Sequence, residues 1–157
     1  MNFFSCKSLW IHIIHFIFTL PVIASNEKLV DKLLLCPNHL ENCIKLDIAD
    51  TDLKRSTGLM YRNELPDLEG IIFIYDSPSL VKMWMRNTRI PLDMIFIREK
   101  RIMKIVNSAM PCMKDPCFKY DSNGFVDSVI ELNAGTAKSL NLKVGQIIDL
   151  VRLDSQY

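Results

Sequence analysis

Lys82 to Phe96 reads "KMWMRNTRIPLDMIF", and whether it is a binding strip or a piece of core decides how the chain folds. Val81, Met83 and Met85 fall on one side of an extended chain, Lys82 and Trp84 on the other. That period of two is the signature of a half-buried strand. Pro91 has no N–H for a ladder and biases Ile90 toward an extended conformation, so "RNTRIP" is a loop. "LDMIF" then reads as a core strand that carries one carboxylate, Asp93. A buried charge must be paired or neutralised, so the stretch predicts a strand, an ordered loop and a second strand whose Asp93 has a partner.

Working outward, "CIKLDIA" (43–49) alternates Ile44, Leu46 and Ile48 with Lys45 and Asp47 and reads as a strand. Asp50 or Thr51 can cap a short helix over "DLKRSTGLM", with Gly58 near its end. "IIFIY" (71–75) is a buried strand between Gly70 and "DSP". "LDMIFI" and "RIMKIVNSA" flank the charged turn "REKR" as a hairpin. "MPCMKDPCFKYDSNG" is a loop ended by Asn123-Gly124, followed by a strand, "VDSVIEL". Asn133 is placed to cap a short helix over "AGTAKSL", and "IIDLVRL" closes the series. About seven short strands with two short helices, and no alternation with long helices, predict a mainly β fold, a compact distorted barrel or sandwich.

The first 24 residues are not domain material. Lys7 precedes an apolar run from Leu9 to Leu20, and Val22 and Ala24 suit the −3 and −1 positions of a cleavage site. This is the layout of a secretory signal, cut after Ala24. The run is short for a membrane span and is interrupted by His12 and His15. A membrane role is therefore expected only if the segment stays uncleaved. Residues 25–42 are a lead-in and 43–157 a single domain. The expected location is periplasmic or extracellular.

Lys7 is the one charged residue in that leader. Its removal takes 19 basic residues to 18, against 18 acidic ones. A chain of zero net charge has no single-sign field to attract nucleic acid or an acidic membrane surface. Loss of Cys6 leaves Cys36, Cys43, Cys112 and Cys117. An even count in an exported chain reads as disulfides. "CPNHLENC" and "CMKDPC" are short, turn-rich loops, which favours Cys36–Cys43 and Cys112–Cys117. Long-range pairing is the alternative. A zinc site joining the cysteines to His39 is a third.

The segments "RSTGLMYRNELPDLEGIIFIYD", "WMRNTRIPLDMIFI" and "VIELNAGTAKSLNLKVGQII" resemble the family called domain of unknown function 192, from Ile44 to about Val151. The carriers are Arg-x-x-Gly-Leu-Met-x-Arg at 55–62 and Trp-Met-x-Asn-Thr-x-x-Pro-Leu-Asp at 84–93. The resemblance implies a compact, mainly β fold, exported or membrane-anchored, and no particular reaction. Ile71 stands where the family has Met, which weakens the idea that every Met is a ligand.

The candidate site gathers Arg55, Met60, Arg62, Trp84, Met85, Asn87, Thr88, Asp93 and Glu131. Arg55 and Arg62 are natural partners for Asp93 and Glu131, two carboxylates in apolar strands. One reading is an internal ion-pair network. The other is a cleft, with Arg for an anionic group, Asn87 and Thr88 for hydroxyls or amides, and Trp84 as a stacking face. Catalysis would need Asp93 and Glu131 to act together, as in a carboxylate-based hydrolase. Soft thioethers from Met60, Met83, Met85, Met94, Met103, Met110 and Met113 could serve copper, although Met also fills cores. We expect an exported envelope protein with a binding or accessory role rather than catalysis. No resident cofactor is expected. The expected partner is a small polar or anionic ligand such as a glycan, or an envelope component.

Overall fold

The computed structural model describes residues 32–36 and 43–153. The expected leader, part of the lead-in and His39 lie outside the described residues. The elements run β1 (Lys32–Leu35), β2 (Ile44–Ala49), α1 (Asp52–Thr57), β3 (Glu69–Trp84), β4 (Leu92–Arg98), β5 (Arg101–Ala109), β6 (Lys119–Asn133), α2 (Thr136–Ser139) and β7 (Leu150–Arg152). All seven strands share one sheet in the order β5-β4-β6-β3-β2-β1-β7. Neighbours are antiparallel except β2 and β3. Parallel neighbours need a crossover, and that connection carries α1. No helix among the described residues is long and apolar enough to cross a membrane.

The apolar runs of β3, β4 and β6 are continuous because both faces of the sheet are covered. Ile71, Phe73, Met94, Phe96 and Val129 belong to one core cluster, with Leu59 and Leu65 packed over it. Ile72, Ile95, Ile97, Ile130 and Leu132 belong to the other, under Ala137, Leu142 and Ile148. Removing each such side chain from water stabilises the fold by roughly 1.5–3 kcal/mol.

The sheet curls without closing through a strand ladder. Gly145 N–H and Ile148 N–H donate to the carbonyls of Ile102 and Lys100, and Ile102 N–H donates to Gln146 O, at 2.8–2.9 Å. The same segment then enters β7, at the opposite edge from β5. The mainly β expectation therefore holds, in the form of an open, wrapped sheet. Both disulfides pair as expected, Cys36–Cys43 and Cys112–Cys117, which leaves the zinc reading without thiolates.

Several element boundaries differ from the sequence reading. "IIFIY" and "VKMWM" are one strand, β3. Between the rungs Ile74↔Ser128 and Ser79↔Val126, residues 75–78 bulge against Asp127 alone, and that bulge accommodates Pro78. Asn123-Gly124 does not end a loop but lies inside β6. There the irregularity falls on β6, between Leu80↔Phe125 and Lys82↔Asp121. Ser122 Oγ accepts from Val81 N–H at 3.1 Å and donates to Gly124 O at 2.6 Å, replacing main-chain partners that the bulge displaces. The lead-in contributes β1. Thr51 caps α1. Asn133 does not cap α2. It belongs to β6 and donates to Leu65 O at 2.6 Å, while Gly135 in the left-handed region precedes α2.

At the centre of the sheet a Cβ on Gly70 would lie 2.6 Å from Leu132 Cδ2 and 2.7 Å from Glu131 O. Gly70→Ala is expected to lower stability by about 1–3 kcal/mol, read as a lower urea midpoint with an unchanged m-value. A variant as stable as wild type would mean that β3 and β6 do not approach this closely.

Candidate functional site

β2 makes its last rung with β3 at Ala49↔Phe73, and the chain then turns into α1. The helix packs near β2, and its Arg55 side chain reaches β3. Arg55, on α1, substitutes for the missing strand neighbour: its Nη1 donates to Ile74 O and to Asp50 O, both at 2.8 Å. Its Nη2 pairs with Asp52 Oδ1 at 2.5 Å, and the guanidinium carbon sits 5.5 Å from the Tyr75 ring centroid. Past the helix, Gly58 (φ 46°) turns the chain. A Cβ there would lie 3.0 Å from the Phe73 ring, so only glycine suits both the angle and the space. The following turn is tied to the "RNTRIP" loop: Tyr61 N–H donates to Asn87 O, and Asn87 Nδ2 donates to Tyr61 Oη, both at 2.9 Å.

Between α1 with its turn and the outer half of β3 lies a cleft of about 320 Å³. Phe73, Tyr75, Met83 and Glu131 contribute to its lining from the sheet, and Arg55, Gly58 and Met60 from the helix side. Lys82, Trp84 and Thr88 complete it toward solvent.

Glu131 is the unusual group. It sits opposite Ile71 on β3 and Met94 on β4, and its residue surface is only 4 % exposed. Among the described residues none hydrogen-bonds its carboxyl group. No fully enclosed side-chain oxygen or nitrogen among them lacks a partner, so the Glu131 carboxyl opens into the cleft. Burial pushes it up to about 8. At neutral pH it is a carboxylic acid, able to donate one hydrogen bond and accept others. Burial also raises the Tyr75 phenol, which Arg55 opposes and Glu131 reinforces. The Tyr75 hydroxyl lies 3.8 Å from Met83 Sδ as a weak donor.

Five of the nine expected residues line this cleft: Arg55, Met60, Trp84, Thr88 and Glu131. The other four lie elsewhere. Arg62 pairs with Asp47 at 3.2 Å. Asn87 is engaged by Tyr61. Met85 is core, and its carbonyl accepts from the N–H groups of Thr88 and Cys112. Asp93 is fully buried. Its partner is main chain rather than an arginine, since its carboxylate accepts from Ser108 N–H at 2.8 Å and Ala137 N–H at 2.9 Å. Asp93 thereby clamps β5 and α2 to β4.

The paired-carboxylate hydrolase reading fails on strand alternation. Asp93 faces Leu132, whereas Met94 faces Glu131, so the two carboxyls project from opposite faces of the sheet. For copper, the cleft gathers only Met60 and Met83 of the seven methionines. Met83, Met85 and Met94 pack in one core cluster, while Met103, Met110 and Met113 are exposed. Sequence reasoning did not place Tyr75, Gly58 or Phe73 in a site. A signal existed in Tyr75, an aromatic with a polar tip at the end of an apolar run, just before a turn.

A family model described as "DUF192: Uncharacterized ACR" matches residues 35–150. No curated protein matches. Two solved structures are similar. One is a protein from Sinorhizobium meliloti 1021 described as a conjectured transcription regulator. It shares 32 % identity over 78 % of this chain and 92 % of its own, with a TM-score of 0.66. The other is a protein of unknown function from Novosphingobium aromaticivorans DSM 12444, at 32 % identity over 75 % of this chain and 83 % of its own, with a TM-score of 0.64.

The Glu131 carboxyl titrates at 4.5 in an unfolded reference and at about 8 in the fold. The folded state holds the extra proton between these values, so this group's contribution to stability is fully present below the lower one and is lost as pH rises through the upper one. Glu131→Gln carries no such proton. From about pH 5 to about pH 9 its stability is expected to fall less than that of wild type, by several kcal/mol. Urea midpoints measured across that range check this, and parallel pH profiles would refute it.

Proposed function

Because the chain belongs to the uncharacterised family DUF192, its function has to be argued from the cleft, and we propose that it binds a small, uncharged polar ligand there. The observation that carries this is the Glu131 carboxyl, buried, neutral and without a hydrogen-bond partner among the described residues, open to a cleft of about 320 Å³. A buried polar group without a partner lowers stability, and a hydroxyl or amide supplied by a ligand completes it. A sugar unit of a glycan has the right size and chemistry.

One observation favours an uncharged over an anionic ligand. Arg55 is engaged by two main-chain carbonyls and Asp52, and Arg62 by Asp47. The cations expected to meet an anion are thus already committed. Trp84 is 40 % exposed at the rim, with the Arg86 guanidinium 5.6 Å from its ring centroid, so Arg86 competes for one face of a stacking platform.

A binding or accessory role fits better than catalysis. Glu131 could act as an acid, but the expected base, Asp93, projects from the other face. Placement at the cell envelope is supported by the two disulfides, which persist in oxidising compartments. The balanced charge weighs against a nucleic-acid role.

Glu131→Leu is expected to move stability and binding in opposite directions. Removing a buried, unpaired carboxyl stabilises the fold near neutral pH by about 1 kcal/mol or more. Binding of the ligand weakens about tenfold or more. Calorimetry and thermal shift with a panel of monosaccharides, amino sugars and small primary amides measure both. No binding to wild type, or equal binding to Glu131→Leu, would sink the proposal.

A further inference from the structure

The outer half of β3 presents main-chain groups to the cleft. Val81 N–H points toward β6, where it donates to Ser122 Oγ at 3.1 Å. Alternation along the strand then turns the N–H and C=O groups of Lys82 and Trp84 to the opposite edge. Among the described residues no strand covers that edge, because β2 stops at Ala49 opposite Phe73, and Arg55 serves only Ile74 O beyond it. Lys82, Met83 and Trp84 also line the cleft. The Lys82 side chain is held toward its cross-strand neighbour Asp121, at 3.6 Å, and so lies on the sheet face rather than across the edge.

We propose that this edge accepts a strand: an extended segment of a partner polypeptide pairs its main chain with Lys82 and Trp84 and places an Asn or Gln side chain against Glu131. The proposal rests on the cleft being a binding site, and it names the ligand class. Strand addition combines main-chain hydrogen bonds for affinity with a side-chain pocket for specificity, and both parts are present here. The amide fits because a neutral carboxyl donates to its C=O and accepts from its NH2 in one planar pair. The opposite wall, α1 and its turn through Met60, limits the occupant. The segment would run in the cleft of about 320 Å³ between that wall and β3. A second copy that offered its own β3 edge would bring its α1 into the contact.

The test selects displayed heptapeptides with Asn or Gln at the centre and random flanks on the full protein. Fluorescence anisotropy then measures the synthesised peptides. Lys82→Pro removes an N–H on the free edge only, a position where proline is tolerated. It is expected to keep its fold and bind the peptides about tenfold or more weakly. Peptides N-methylated at one amide at a time leave the protein untouched. Methylation at one or more amides flanking the central residue is expected to weaken binding by a similar factor. In the complex the amide hydrogens of Lys82 and Trp84 should exchange more slowly than in the free protein.

Peptides that tolerate N-methylation at every amide would overturn strand addition. So would a failure to select any peptide while sugars or small amides still bind the cleft, which leaves the binding site standing with a different ligand. If neither peptides nor small ligands bind, both readings fall.

Discussion

β3 continues from Phe73 to Trp84 after its last rung with β2 at Ala49, and the candidate site follows from that excess length. A strand that outruns its neighbour exposes main-chain groups that must find other partners. The Arg55 guanidinium meets the first of them, at Ile74 O. Beyond it lies the cleft, lined by both the helix and the strand. The bulge at residues 75–78 lets β3 stay paired with β6 past Pro78, so the ribbon reaches far enough to form a wall. Without the bulge, proline would end the strand and there would be no cleft.

Two carboxyls buried in adjacent strands are treated in opposite ways. Asp93 accepts two main-chain N–H bonds and joins three elements, and charge-assisted bonds of this kind are among the stronger ones available. Glu131 is one rung and one face away, and among the described residues no side chain or main-chain donor meets it. The first arrangement stabilises the sheet. The second lowers stability at neutral and alkaline pH, and a fold retains such a group most readily where it serves recognition.

Much of the strand content was legible because it rests on local chemistry. Period-two alternation marked β2, continuous apolar runs marked β3 and β4, and the Thr51–Gly58 frame marked α1. The short cysteine loops pointed to the right disulfides. What stayed hidden depends on contacts far apart in sequence. Pro78 and Asn123-Gly124 read as breaks because only the partner strand shows that each sits in a bulge. Asp93 seemed to need an arginine because main-chain donors from Ser108 and Ala137 carry no sequence signal. The site was half legible for the same reason. Motif density drew together residues 55–62 and 84–93, yet side-chain direction decides which of them reach the cleft, and Tyr75 came from outside both segments.

The joining of β1 to β7 has a kinetic consequence. The first and last strands of the sheet are partners, and the Gly145–Ile148 segment braces β5 against the same end of the chain. Contacts between residues so distant in sequence require closing the longest loops before they contribute, which slows folding. An N-terminal fragment emerging from a ribosome or a translocation pore lacks the strand that covers β1. The sheet can therefore complete its wrap only after Arg152 has emerged, and until then the β1 edge is open to pairing with other chains.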